Sequence, residues 1–338
     1  MARELHDGFG RGINYLRISV TDKCNFRCVY CMPEKGVPAR AHGELLTAEE
    51  IARFVRIVAQ EGITRVRLTG GEPLVSHRIV PLIEEIRSIS GIEDISLTTN
   101  GALLPRLAPA LREAGLDRVN ISLDTLNADR FTQITRLGRV EQALAGIDAA
   151  LEYGFEPVKV NTVVVRRMDQ DVLELAKLSL ERPVHVRFIE YMPVGESTGS
   201  CGCGWGKEDV IASEELFGMI NEQAIASGLG ELKPAGNHKP TGWGPARYFE
   251  FEGAKGTVGF ISPLSRHFCS ECNRLRLTAD GKIRPCLFSD EEFDVRAALR
   301  SGEGDKAVRD VLLAALGAKP DEHHDKVGTE RNMSQIGG

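Results

Sequence analysis

No stretch of the chain approaches the run of about 18–20 apolar residues that a membrane span needs, so no membrane partner is expected. The opening MARELHDGFGRG lacks the apolar core of a secretory leader, and the expected location is the cytoplasm. Positive charge is not in excess either. Forty-two Lys and Arg against 48 Asp and Glu leave a net charge of −6. A nucleic-acid partner, whose backbone demands a basic surface, is not expected, although a local basic pocket for one small anion is compatible with that balance. There is no P-loop and no internal repeat, and the glycines of DGFGRG precede a strand pattern instead of following one, which makes them a weak dinucleotide signal. What remains is an ordinary globular balance, 42% hydrophobic and 27% charged. The 338 residues suit two domains or one large α/β domain with an appendage.

The first two thirds alternate between β-branched apolar stretches and helical patterns. Strands are expected at Tyr15–Val20, Arg65–Thr69, Asp94–Thr99, Arg118–Leu123, Val158–Val165 and Val184–Tyr191. Helices are expected at Ala48–Gln60, Ile79–Ser88, Leu103–Ala114, Val140–Tyr153 and Gln170–Leu180, the first opened by a Thr47/Glu50 capping box. Such alternation implies a parallel sheet, open or barrel-like, and six strands are too few for a complete eight-stranded barrel. In either architecture ligands bind at the carboxyl ends of the strands. LTGGEP, TTNG, NISLDT and EYMPVGE fall there, as does TDKCNFRCVYCMPEKG after the first strand. From about Pro193 to Pro245 the pattern gives way to Gly/Pro-rich loops around one short helix near Glu214–Ala226. Strands at FEFEG and TVGFIS follow, then helices near Glu292–Arg300 and Lys306–Leu316, and a terminal NMSQIGG read as neither helix nor strand. The expected division is therefore 1–192 and 193–338.

Eight cysteines in a reducing compartment point to metal ligation or thiol chemistry before disulfides. Cys24, Cys28 and Cys31 form C-x3-C-x2-C, and Cys269, Cys272 and Cys286 form C-x2-C-x13-C. Each set has three thiols. A closed zinc site wants four ligands, so a zinc knuckle would need a distant fourth, and a zinc ribbon would have to borrow Cys201, Cys203 or His267. A 4Fe–4S cluster, normally held by four thiolates, would be anchored by three with one iron left open to a small molecule.

C-x3-C-x2-C after the first strand, with Tyr30 before its last cysteine and with GGEP at Gly70–Pro73, resembles the radical S-adenosylmethionine (SAM) enzymes. YLRISVTDKCNFRCVYC, RLTGGEPL, EYMPVG, FCSECNRLRLTADGKIRPCL and the ending NMSQIGG are together similar to the GTP 3′,8-cyclase family of molybdenum cofactor biosynthesis. The resemblance covers nearly the whole chain. It implies an incomplete (β/α)6 TIM-like barrel with a smaller C-terminal α+β region over its mouth. It implies two 4Fe–4S clusters, SAM as cofactor and GTP as substrate. A reductant protein such as flavodoxin or ferredoxin would supply electrons, and a cyclic pyranopterin monophosphate synthase would act downstream. A monomer or a homodimer is expected. A different radical SAM enzyme with an auxiliary cluster, such as a peptide-modifying maturase, is the alternative.

Carried over residue by residue, the resemblance assigns Cys24, Cys28 and Cys31 to the cluster that cleaves SAM, and Tyr30, Gly71, Ser122 and Met192 to SAM. It assigns Cys269, Cys272 and Cys286 to the second cluster, Thr98 and Leu275 to GTP, and Gly337 and Gly338 to the active site. The residues themselves mark a triphosphate site at Arg17, Arg67, Lys159, Arg274 and Arg276. Arg17 and Lys159 stand in otherwise apolar strands, LRIS and VKVN, where an unpaired charge is costly. Cys201, Cys203, His323 and His324 are expected to have no catalytic part.

Overall fold

The structure, a computed structural model, describes residues 4–38, 40–195, 205–236, 238–241, 244–323 and 329–337. Cys201, Cys203, His324 and Gly338 lie outside them.

Six parallel strands alternate with helices in the first two thirds: β1 (Tyr15–Ser19), β2 (Arg65–Thr69), β3 (Asp94–Thr99), β4 (Arg118–Ser122), β5 (Val158–Val164) and β6 (Val184–Glu190). The intervening helices are α1 (Ala48–Gln60), α2 (Ile79–Arg87), α3 (Leu104–Glu113), α4 (Ala128–Thr135), α5 (Val140–Glu152) and α6 (Val172–Glu181). Helix α1 starts where its box dictates. Thr47 Oγ1 accepts the Glu50 N–H at 3.2 Å, and Glu50 Oε2 accepts that of Thr47 at 2.8 Å. Its Ile51, Phe54, Val55 and Val58 form one buried stripe against the sheet. The strands alternate strictly. Leu16 and Ile18 of β1 and Val66 and Leu68 of β2 enter the helix-side core, while Tyr15, Arg17 and Arg67 face the other way.

After α7 (Ser213–Ala226) come β7 (Lys233–Pro234), β8 (Arg247–Glu250), β9 (Thr257–Ile261), β10 (Arg274–Leu277), β11 (Lys282–Arg284) and β12 (Phe293–Asp294). Helices α8 (Val295–Arg300), α9 (Asp305–Gly317) and the four-residue α10 (Met333–Ile336) complete the chain. The twelve strands among the described residues form one sheet in the order β12-β11-β10-β1-β2-β3-β4-β5-β6-β9-β8-β7. Strand β10 lies parallel to β1, and β9 parallel to β6. The C-terminal third thus extends both edges of the six-stranded arc, and the sheet runs unbroken across residue 192.

Four expectations need correction. The strand expected at FEFEG lies at Arg247–Glu250, and the helix expected near Glu292 begins at Val295 because Phe293–Asp294 pairs with β11. NMSQIGG is not irregular throughout, since Met333–Ile336 makes a helical turn. The helix expected from Gln170 begins at Val172, because the Gln170 side chain is occupied, with Nε2 donating to the carbonyls of Asp124 and Val163 at 2.8 Å each. No helix among the described residues is long and apolar enough to cross a membrane.

Candidate active site

The loop after β1 carries Cys24, Cys28 and Cys31. Helix α4 braces it, with the Arg27 and Val29 amides donating to the carbonyls of Thr135 and Ile134 at 2.9 Å each. Phe26 packs edge-on against Phe131 at 6.1 Å. Burial pushes the Cys24 thiol up to about 11 and the Cys31 thiol up to about 12, and raises Cys28 as well, with neighbouring thiolate charge adding to the effect on Cys28 and Cys31. Without a metal, all three would be protonated at neutral pH. The Ser334 N–H, from the far end of the chain, donates to the Cys31 sulfur.

GGEP lies against this loop. The Gly71 and Glu72 amides donate to the carbonyls of Thr21 and Lys23 at 2.7 and 2.8 Å. A Cβ on Gly71 would sit 2.4 Å from the Lys23 oxygen, so this close backbone approach requires glycine. Glu72 is fully enclosed and accepts from Leu74 N, Thr99 Oγ1 and Asn100 N at 2.7–2.9 Å. Burial nonetheless pushes its carboxyl up to about 7. Tyr30 donates its hydroxyl to Asp124 at 2.7 Å, and burial holds Asp124 up at about 6.

Cys269 and Cys272 share a tight turn, in which the Cys272 N–H donates to the Cys269 carbonyl at 3.1 Å, and Cys286 follows β11. Burial raises the Cys269 thiol, and the charges of its two companions add to that. For Cys272 the charges of Lys319 and Arg274 outweigh burial and lower it. All six cysteines line one cavity of about 310 Å³.

Each triad offers three thiols, the number that would anchor a 4Fe–4S cluster and leave one iron open. Ligands around one zinc stand on the order of 4 Å apart, given bonds of about 2.3 Å. Among the described residues no three His, Cys, Asp or Glu side chains group that way. Within each triad the thiols still sense one another's charge, and all open onto the cavity, as a larger group with several metal atoms requires.

Between the triads the sheet register lays arginines in a row. Arg276 of β10 pairs with Arg17 of β1, which pairs with Arg67 of β2, so the three guanidiniums stand side by side on the cavity face. Burial and the charges of Arg276 and Arg67 together push Arg17 well below the usual arginine range. Arg67 donates to Ser96 Oγ at 3.1 Å and lies 5.5 Å over the Tyr15 ring, and Arg274 lies 5.2 Å over Phe268. Leu275, between two of these arginines, turns the opposite way into the core.

Thr98, Ser122, Met192, Gly71 and Tyr30 line the same cavity. Lys159 is buried one step away. Its Nζ donates to the Thr241 carbonyl at 2.9 Å, and burial, reinforced by Arg187 and Arg118, pushes its ammonium down to about 6. Gly337 reaches the arginine row. His323 lines the cavity, and its Nε2 is 3.1 Å from the Pro263 carbonyl.

Sequence reasoning missed Glu72, Asp124, Asn161 and Arg187. Arg187 lines the cavity, donating to Asn161 Oδ1 at 2.6 and 2.9 Å and to Asn120 Oδ1 at 2.8 Å. It stands in VHVRFIE, where the argument that singled out Arg17 applies equally. Glu72 and Asp124 sit inside GGEP and NISLDT, as carboxylates in strand ends otherwise too apolar to solvate them.

Two family models match the chain, the Radical SAM superfamily over residues 18–179 and Molybdenum Cofactor Synthesis C over residues 184–325. A GTP 3′,8-cyclase of Pelotomaculum thermopropionicum is 50% identical over 99% of this chain and 100% of its own length. One from Heliobacterium modesticaldum is 49% identical over 98% and 99%. Among solved structures, Streptococcus suis SuiB bound to precursor peptide SuiA is similar at TM-score 0.61 and 16% identity, covering 90% of this chain and 67% of that one. Native anSMEcpe with bound AdoMet is similar at 0.57 and 16%, covering 93% and 82%. At those identities the two structures speak to the fold alone.

Proposed function

The chain belongs to the GTP 3′,8-cyclase family of radical SAM enzymes, and from that premise we propose that its cavity holds SAM and GTP together between two iron–sulfur clusters. Its reaction converts GTP to (8S)-3′,8-cyclo-7,8-dihydroguanosine 5′-triphosphate, the first step of molybdenum cofactor biosynthesis. The observation that carries the assignment of the site is the Arg276–Arg17–Arg67 row opening onto the same cavity as both cysteine triads. Three adjacent guanidiniums repel one another, and a polyanion relieves that repulsion with charge-assisted hydrogen bonds.

Cys24, Cys28 and Cys31 would hold a 4Fe–4S cluster, which when bound supplies the electron that cleaves SAM and starts the radical chemistry. Tyr30, Gly71, Ser122 and Met192 surround the SAM position. Gly71 lets GGEP pack against the Lys23 backbone beside the SAM position, and Asp124 fixes the Tyr30 hydroxyl. Cys269, Cys272 and Cys286 would hold the second cluster at the opposite wall, where the guanine end of GTP lies. The bond to be made joins ribose C3′ to guanine C8, so the substrate must be fixed at both ends with its middle toward SAM. Arg17, Arg67, Arg274 and Arg276 take the triphosphate, with Lys159 behind them and Thr98 beside them. Pro263 and Phe268, from the segment between β9 and β10, line the cavity on one side and limit access of water to a reactive carbon centre. A flavodoxin- or ferredoxin-type protein delivers electrons, and a cyclic pyranopterin monophosphate synthase consumes the product. What supports these two partners is the need for a low-potential electron and for a next step on a cyclised nucleotide.

The test is an anaerobic assay with reductant, SAM and each nucleoside triphosphate in turn. Cyclised product from GTP is expected. Zinc at both triads after anaerobic purification, or turnover of a peptide with none of GTP, would overturn the reading.

A further inference from the structure

We propose that Lys319 is the positioning residue of the second cysteine triad, clamping its two halves together and setting the potential of the cluster they hold. This rests on reading that triad as a cluster site. Lys319 lies just past α9 and is only 3% exposed. Its Nζ is 3.3 Å from Cys272 Sγ, 3.0 Å from the Arg274 carbonyl and 2.8 Å from the Pro285 carbonyl. An ammonium has three donors, and these three acceptors use them all. The acceptors come from both halves of C-x2-C-x13-C, since Pro285 immediately precedes Cys286. One side chain therefore spans the gap that the sequence leaves between the turn at Cys269–Cys272 and the third cysteine.

The charge balance points the same way. No carboxylate among the described residues forms a salt bridge with Lys319, and a buried ammonium beside two neutral carbonyls alone is costly. A cysteine that ligates iron does so as thiolate, which gives the ammonium its counter-charge. The segment is held from outside as well. Arg11 Nη1 donates to the carbonyls of Cys269 at 2.8 Å and Asp321 at 2.7 Å, and its Nη2 to that of Pro320 at 2.6 Å. Asp7 in turn orients Arg11 at 2.6 Å. Lys319 is thus delivered to the sulfur by a braced strap. A fixed cation donating to a ligand sulfur favours the reduced, more negative form of a cluster and so raises its potential.

The experiment uses full-length chains in which Cys24, Cys28 and Cys31 are Ala, so that only the second triad can hold iron. Lys319→Met, Lys319→Gln and Lys319→Arg are compared with that parent by iron content, circular dichroism and an electron-paramagnetic-resonance redox titration with a low-potential one-electron reductant. Folded Met and Gln variants are expected to titrate at more negative potential and to lose iron faster to a chelator, while Arg restores the potential toward the parent's. A potential unchanged in a folded, iron-loaded Met or Gln variant overturns the assignment of Lys319. A parent that binds no iron overturns the cluster reading itself, and the proposal with it.

Discussion

The guanidinium of Arg276 donates to the carbonyl oxygen of Gly337 at 2.5 Å and to that of Ile336 at 3.2 Å. A residue on the strand next to β1 thus holds Gly337 beside the arginine row. Close by, the Gly337 backbone is left-handed (φ +71°), and an added Cβ would come within 2.8 Å of Thr69. Deleting Gly337 and Gly338 is therefore expected to leave iron content and SAM binding intact while sharply lowering cyclised product per SAM cleaved. Quantifying product against 5′-deoxyadenosine checks this, and an unchanged ratio would reduce the tail to a frayed end.

Arg331 anchors that tail. It grips Asp280 through two bonds of 2.9 Å and Glu292 through one of 2.6 Å. Arg331→Ala should cost about 1.5–3 kcal/mol in tail attachment, since it removes three charge-assisted bonds while Asp280 keeps Arg40 and Thr278 and Glu292 keeps Arg284. Limited proteolysis near the C-terminus should show the release, and coupling should fall as it does in the truncation. Burial opposes ionisation of Asp280, yet the Arg331 and Thr278 hydrogen bonds hold its carboxyl down to about 2. A depressed carboxylate stabilises above its unfolded value and loses that contribution as pH falls through the folded one. The anchor should accordingly persist throughout neutral pH and fail only below about pH 4.

Two full clusters amount to about eight irons per chain. Replacing Cys24, Cys28 and Cys31 by Ala should remove half of that iron and all SAM cleavage. Replacing Cys269, Cys272 and Cys286 should remove the other half and leave uncoupled SAM cleavage. Cys201→Ser with Cys203→Ser should leave the iron count alone. Iron loss in that last variant would reassign the ligands.

Gly71→Ala should fail for a steric reason, because its Cβ meets backbone that cannot swing aside. Overpacking of this kind costs about 1–3 kcal/mol. The cost should appear as weaker retention of the first cluster with the second unaffected, measured as chelator-labile iron.

Lys159 is expected to link GTP affinity to pH. Burial first, then Arg187 and Arg118, hold its ammonium down at about 6 without ligand. A triphosphate favours the charged form, so binding at pH 7–8 should take up a proton and weaken as pH rises. Calorimetry in two buffers of different ionisation heat would show the uptake, and Lys159→Ala should abolish it. That variant and Arg17→Ala should each lose about 1.5–3 kcal/mol of GTP binding. Normal affinity in both would place the triphosphate elsewhere.

The six parallel strands were legible because each is a β-branched run that ends in a polar or glycine motif, and observed bounds differ from the expected ones by a residue or less. Helix α4 escaped notice. ADRFTQIT is short and polar, and its stability comes from Phe131 packing under Phe26. Strand β10 was equally hidden, because RLRL becomes a strand only when β1 offers it a partner 259 residues earlier. Both cysteine triads could be read from spacing, since local ligand sets leave local marks. Arg17, Arg67 and Arg276 could each be singled out, but not their adjacency, because they become neighbours only through register. Lys319 reaches Cys272 across 47 residues of sequence, a separation that no local pattern records.

The placement of β10 against β1 also matters while the chain is still on the ribosome. Between Tyr15 and Arg274 lie 259 residues of synthesis, roughly 13–50 s at about 5–20 residues per second. Throughout that interval one side of β1 has no partner in its own chain. An unpaired strand edge is a template for a strand of any other chain that drifts past. How much protein a cell recovers is therefore decided in part by whatever shields the nascent β1 edge until translation has delivered its neighbour.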